Sequence, residues 1–249
     1  MAKPVVIVVG ADKGGVGKTT VSRTLLDYFS AHNVQTRAFD TESPRGTLKR
    51  FHPDLTEVVD MTTTADQMKI FDTLHSGLFV TVIDVRAGLL TPALGSLRDI
   101  GFLDAAQSGQ ITFAVFHILG PSIASLDEIT ETANFMKDAK YFLVKNFIND
   151  TQFFNWDQST YQSYFNRISD ATELTIPKLD EMAYEQVEVA SVPFLKFVGN
   201  KGRQDEGANY SFVLRGYVRH WLANVWGEYD RIKLTDLAGA APVTRSADK

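Results

Sequence analysis

The chain opens with PVVIVVG (4–10), runs straight into ADKGGVGKTTV (11–21) and continues as KTTVSRTLLDYFSAH (18–32). No other stretch restricts the fold as much. The unbroken apolar run Val5 to Val9 has no polar alternation, which describes a strand covered on both faces, as in a parallel sheet. Val21, Leu25 and Phe29 fall at i, i+4 and i+8, one face of a helix. A strand, a glycine-rich turn and a helix in that order form the context of a phosphate-binding loop. Gly14, Gly15 and Gly17 let the backbone curl until several N–H groups point at one anion. The first helical turn adds the positive end of its dipole. Lys18 can reach β- and γ-phosphates, the Thr19 hydroxyl can ligate Mg²⁺, and Val16 and Thr20 complete the run GGVGKTT. A merely tight turn would not need three glycines, a lysine and a hydroxyl in this order. Two features depart from the usual G-x-x-x-x-G-K-[ST] pattern. Asp12 stands at its first glycine, and a second lysine, Lys13, precedes Lys18 by five residues.

The remaining pattern alternates. Strands are expected at 34–40, 78–85, 111–119 and 140–147, with a short last strand at 173–177. Helices are expected at 64–77, 91–109, 122–138, near 179–189 and over 210–226. Alternation of this kind predicts an α/β fold, a doubly wound and mostly parallel sheet flanked by helices, with ligands at the carboxyl ends of the strands. The polar and aromatic segment 151–169 breaks the rhythm and reads as an inserted helix. Residues 1–236 read as one domain and 237–249 as a frayed tail.

Composition closes off several classes. With 249 residues the chain is long enough for one sizeable α/β domain. It has no cysteine, which rules out disulfides, thiolate metal sites and Cys-ligated iron–sulfur clusters. The net charge of -5 confines any nucleic-acid contact to a local patch. Val5 to Val9 is too short for a signal-peptide core or a membrane span. A soluble, cytoplasmic protein without integral membrane association is expected.

KGGVGKTT resembles the deviant Walker A motif of the ParA/MinD family of ATPases, in which the early lysine is a signature. The resemblance covers most of residues 4 to 195. It implies a homodimer that closes around two ATP molecules with Mg²⁺, each Lys13 reaching the partner's phosphates. The family carries an Asp-x-Asp switch after its second strand. Here FDTESP supplies Asp40, near the Mg²⁺ water shell, and Glu42, 24 residues after Lys18, in the place of the carboxylate that orients the attacking water. Asp84 ends FVTVID at the Walker B and second-switch position, where the resemblance implies contact with Mg²⁺ through water, followed by Arg86-Ala87-Gly88 where the family often has paired prolines. Asn146, or its rival Asn149, stands where the family reads adenine, and Pro177 in TIPKL resembles the wall beside that base.

The resemblance implies an ATPase switch that positions or partitions cargo, in plasmid or chromosome partition, plasmid stability or conjugative transfer, with an adaptor or cargo protein as reader. Non-specific DNA is a further partner that some relatives use. The basic residues here that fit it are Arg215 and Arg219, one turn apart on one helix face, with Arg231 and Lys233 beyond. A solvated helix flank explains the same pair. Two other functions stay open. One is a carboxylate-activating enzyme of the dethiobiotin synthetase or amide synthase type, against which Lys13 argues. The other is a nucleotide-dependent binding module that does not hydrolyse. The tail lacks the large apolar residues of a membrane-binding amphipathic helix.

Overall fold

The computed structural model describes residues 3–74, 80–120, 122–135, 139–148, 152–153, 157–166 and 171–239. Seven strands form one sheet: β1 (Val5–Gly10), β2 (Thr36–Asp40), β3 (Thr56–Val58), β4 (Val80–Asp84), β5 (Thr112–Ile118), β6 (Lys140–Asn146) and β7 (Thr172–Ile176). Their order is β3-β2-β4-β1-β5-β6-β7, and every neighbouring pair is parallel. The chain leaves β1 toward β2 on one side and later returns to place β5, β6 and β7 on the other. The carboxyl end of β1 is thus a topological switch point, where open α/β sheets form a crevice.

Successive residues of β1 serve opposite faces, as the pleat requires. Val5, Ile7 and Val9 join one core with α1 (Lys18–Ala31), α2 (Thr47–Phe51), α8 (Glu181–Ala190), α9 (Phe194–Val198) and α10 (Phe212–Arg231). Val6 and Val8 join the other, with α3 (Thr64–Phe71), α4 (Leu90–Asp99), α5 (Phe102–Gln107), α6 (Ile123–Ala133) and α7 (Gln158–Phe165). Each such side chain contributes roughly 1.5–3 kcal/mol by leaving water, which is why the run tolerates no polar residue.

The expected helix 91–109 is two helices, because Gly101 takes φ 74° and turns the chain between α4 and α5. The α3 helix stops at Phe71 rather than 77, and α7 lies within the anticipated insertion. Two short elements, α2 and β3, have no periodic signature in the sequence. A last helix, α11 (Leu234–Leu237), packs through the buried Ala238, so ordered packing reaches into the segment read as tail. Residues 240–249 lie outside the described residues. Among the described residues no helix is long and apolar enough to cross a membrane.

Candidate nucleotide site

The loop between β1 and α1 rims a cleft of about 360 Å³ lined by Gly14, Gly15, Gly17, Lys18, Thr19 and Thr20 on one side and by Asp40, Glu42, Asp84 and Arg86 on the other. Gly15 and Gly17 adopt φ 74° and 88°, backbone that an L side chain resists. Gly17 is required twice over. A Cβ there would come within 2.1 Å of Asn146 Nδ2, which donates to the Val16 carbonyl at 3.1 Å. Gly17→Ala is therefore expected to cost about 1–3 kcal/mol, seen as a lowered Tm in thermal unfolding.

Helix α1 begins at Gly17 with no side-chain cap and no acidic residue in its first turn. By contrast α3, α7, α8 and α10 are capped by Thr63, Asp157, Asp180 and Ser211. N–H groups left without a side-chain cap at a helix N-terminus suit an anion. The two lysines differ in placement. Lys18 turns back over the loop and donates to the Lys13 carbonyl at 2.9 Å. Burial pulls its ammonium below the usual lysine range, against the opposing pull of Asp84 and Glu42. Lys13 is exposed, and its aliphatic chain lies over Gly120, where a Cβ would stand 3.2 Å from Lys13 Cδ.

Sheet register brings the carboxylates together. Asp40 on β2 is paired with Asp84 on β4, and Asp84 with Val9 on β1. Both Asp40 oxygens are engaged by the chain that follows: Oδ1 accepts from Glu42 N at 2.9 Å, and Oδ2 from Leu48 N at 2.6 Å and Lys49 N at 3.3 Å. Burial still raises the Asp40 carboxyl. Glu42 accepts from the Thr47 hydroxyl, so the first residue of α2 holds it. Thr19 Oγ1 donates to Asp84 Oδ2 at 2.7 Å, whereas Asp84 Oδ1 is buried with no hydrogen-bond partner. Burial pushes the Asp84 carboxyl up to about 7.

An orphaned carboxylate oxygen beside a hydroxyl at the mouth of a phosphate-type loop fits a hard divalent cation with oxygen ligands and retained waters. Thr19 and Asp84 are the residues that fit Mg²⁺ directly. Asp40, with both oxygens occupied by N–H groups, suits the outer water shell. Among the described residues no group of three His, Asp or Glu could hold a metal ion by itself.

The reason for Asp12 is tertiary. Its Oδ1 accepts from Leu90 N at 3.1 Å and its Oδ2 from the Thr91 hydroxyl at 3.3 Å. Asp12 thus caps α4 and ties the loop to the segment after Asp84. Its own N–H donates to Glu128 Oε2 at 3.1 Å, and Glu128 meets the buried His117 Nε2 at 3.2 Å. His117 in turn contacts the Tyr141 hydroxyl, which also meets Thr132 Oγ1 at 2.9 Å. On the other side Thr41 accepts from Arg86 N at 2.8 Å, and Thr41 N donates to the Asp84 carbonyl at 3.0 Å, joining the segments that follow β2 and β4. Sequence reasoning does not single out Glu128, His117 or Thr41, and it gives Arg86 no role of its own. Arg86 had a signal, standing two residues past the strand-ending carboxylate.

Thr20, Ile148 and Tyr184 connect the cleft to a smaller pocket of about 190 Å³ that Asn146, Pro177, Leu179 and Trp221 also line. Asn146 and Pro177 thus meet in one apolar slot next to the loop. The Pro177 carbonyl accepts from Trp221 Nε1 at 2.6 Å, which anchors the slot to α10. Asn149 lies outside the described residues. The basic pair on α10 is not brought together as one open face. Arg219 is exposed, but Arg215 is half-buried with its guanidinium toward the Val198 carbonyl at 3.4 Å. Arg231 is held by Glu228 and the Glu173 carbonyl.

A wholly parallel sheet in this order, helices on both faces and a glycine loop between the central strand and its helix define a three-layer α/β fold of the P-loop, Rossmann-like type. Among solved structures the chain is similar to the septum site-determining protein MinD of Pyrococcus horikoshii, in complex with Mg-ADP, at 14% identity and a TM-score of 0.58, covering 96% of this chain and 99% of that one. It is also similar to a ParA family ATPase of Chlorobium tepidum at 12% identity and a TM-score of 0.49, covering 88% and 98%. At these identities the likeness is one of fold, and it rests on the first of the two. No protein-family model and no curated protein matches the sequence.

Proposed function

We propose that this chain is a cytoplasmic ATP-driven switch that closes as a homodimer around ATP and Mg²⁺ and hydrolyses ATP slowly, its state read by an adaptor or cargo protein in a positioning or partition process. The observation that carries the reading is the division of labour between two lysines on one loop. Lys18 folds inward over the amide nest, while Lys13 is exposed and, among the described residues, forms no ion pair. A cation left open at the rim of a phosphate site suits an anion carried by another subunit, as an arginine finger does. Lys13 argues against a carboxylate-activating enzyme.

In this reading the N–H groups of residues 14 to 19 and Lys18 hold the phosphates. Mg²⁺, when bound at Thr19 and Asp84, would offset phosphate charge. Glu42 accepts a hydrogen bond from the attacking water and orients it, with Thr47 fixing the carboxylate. Asn146 and Pro177 flank the adenine. A protein suits the reader better than DNA, because Arg215 is half-buried against the Val198 carbonyl and Arg231 is held by Glu228, which leaves Arg219 and, beyond α10, Lys233 as the open cations there.

Glu42→Gln keeps the shape of the side chain and removes its basicity. ATP affinity is expected to stay within about threefold while turnover falls by about 10² or more, the size of a lost general base. The measurement is phosphate release beside fluorescent-nucleotide titration, with Mg²⁺ and no small-molecule acceptor. Wild-type release without an acceptor separates this function from the acceptor-dependent enzymes. No release from the wild type, with ATP bound, leaves the binding module.

A further inference from the structure

A second cavity of about 390 Å³ shares no lining residue with the nucleotide cleft. The second half of α1, the outer side of α2 with the loop after it, and the junction of α8 and α9 enclose it. We propose that it is a binding site for a small organic anion, an apolar body bearing a carboxylate or phosphate, and that its occupant biases the nucleotide site through α2. The coupling half rests on the nucleotide reading above, whereas the binding half does not.

Three observations point to that ligand. First, the volume is within the range of small-molecule sites, and Phe51, Pro193 and Leu195 supply apolar wall. Second, the rim is cationic. Lys49, Arg50, Lys196 and Arg203 line it, against Asp27 and Asp54. Arg50 is taken up by Glu188 and Lys196 by Asp205, but among the described residues the side chains of Lys49 and Arg203 have no ion pair. Third, the floor holds an unsatisfied polar group. His52 and Asp27 are 5% and 2% exposed, their nearest polar atoms stand 4.0 Å apart, and His52 Nε2 has no hydrogen-bond partner. That gap is too long for a direct hydrogen bond. Burial lowers the His52 imidazole to about 3 and raises the Asp27 carboxyl to about 7. Burial thus works against the charged form of both floor groups, and Lys49 and Arg203 are the rim cations left without an ion pair among the described residues.

The link to the nucleotide site is covalent and short. Lys49 lines the cavity while its N–H donates to Asp40 Oδ2, and the preceding Leu48 N–H does the same. Thr47, two residues away, holds Glu42. The outer side of α2 is further tied down by the Arg50–Glu188 pair at 2.7 Å and by Arg23, whose guanidinium lies 3.4 Å from the Phe51 ring centroid and pairs with Glu188 at 2.6 Å. A ligand that pulls on Lys49 and Phe51 therefore acts on the backbone that positions both switch carboxylates.

The test is calorimetric titration of the full chain, saturated with Mg-ADP so that the cleft is filled. The compounds are 3-phenylpropionate and phenyl phosphate, with 3-phenylpropylamine, benzyl alcohol and a glutamate-rich peptide as controls. Both anions are expected to bind saturably, and the amine and alcohol are not. Arg203→Glu, an exposed rim change, is expected to weaken the anions at least about tenfold, the scale of a lost charged partner. Ser30→Trp, which fills the mouth from α1, should abolish binding. ADP affinity should shift at least about threefold when the anion is bound, and anion affinity by the same factor when ADP is bound. No saturable anion binding, or binding undiminished in both variants, overturns the site. A peptide that binds where the anions do not overturns the small-molecule assignment in favour of a protein partner. Anion binding with unchanged ADP affinity overturns the coupling alone. A chain that takes the anions but no ADP sustains the cavity and sinks the nucleotide reading.

Discussion

Lys18→Ala is expected to lower affinity for Mg-ATP by at least about 100-fold, close to 3 kcal/mol. Lys18 is the inward cation of the loop, half-buried and fixed on the Lys13 carbonyl, so its charge is delivered where β- and γ-phosphates would lie. Burial has already lowered its ammonium, and a bound polyphosphate would restore the missing counter-charge. Alanine removes both the charge and the tether that shapes the loop. Titration with a fluorescent ATP analogue gives the affinity, and thermal unfolding without nucleotide controls for folding. Wild-type affinity in the variant would remove the cleft as a phosphate site.

Lys13→Ala is expected to leave one subunit able to bind ATP, within about threefold, and to abolish the ATP-dependent dimer. The reason is geometric. Lys13 contributes to its own loop only through its carbonyl, which accepts from Lys18 and survives the substitution. Its ammonium faces outward. Hydrolysis that depends on closure should fall by around 10³ or more, the range of a cation supplied in trans. Size-exclusion chromatography with light scattering, in ATP and Mg²⁺, separates the outcomes. A variant that dimerises like the wild type makes Lys13 a bystander.

Much of the framework was legible before any coordinates. Local order is written in local spacing, so β1, the glycine loop and α1 follow from residues 4 to 32. The alternation of apolar runs and helical stripes likewise yields the parallel sheet. Strand ends were legible too. Asp40 and Asp84 each close a strand-like run, and the resemblance to the family's switch and Walker B positions implies their roles; both are buried in the fold. The unanticipated elements α2 and β3 are five and three residues long, shorter than the windows over which helical or strand periodicity accumulates.

The sequence by itself determined that a glycine-rich turn of the P-loop kind, carrying two lysines, joins the first strand to its helix, and the resemblance it carries implied roles for Asp40, Glu42 and Asp84. Only the tertiary structure decided what each of them does to the others. The contacts that shape the site join residues far apart in the chain: Thr19 with Asp84 across 65 positions, Asp12 with Glu128 across 116, Val16 with Asn146 across 130. No periodicity or motif encodes such a pair. The same holds for Asp12, which looks like a broken glycine pattern until α4 is seen resting on it, and for Arg215, whose helical spacing suggested an open basic face. The physical reason is that local backbone preference depends on neighbours within a turn or two. Which buried oxygen lacks a partner, which lysine faces inward and which cavity carries the charge depend on how sheet and helices meet.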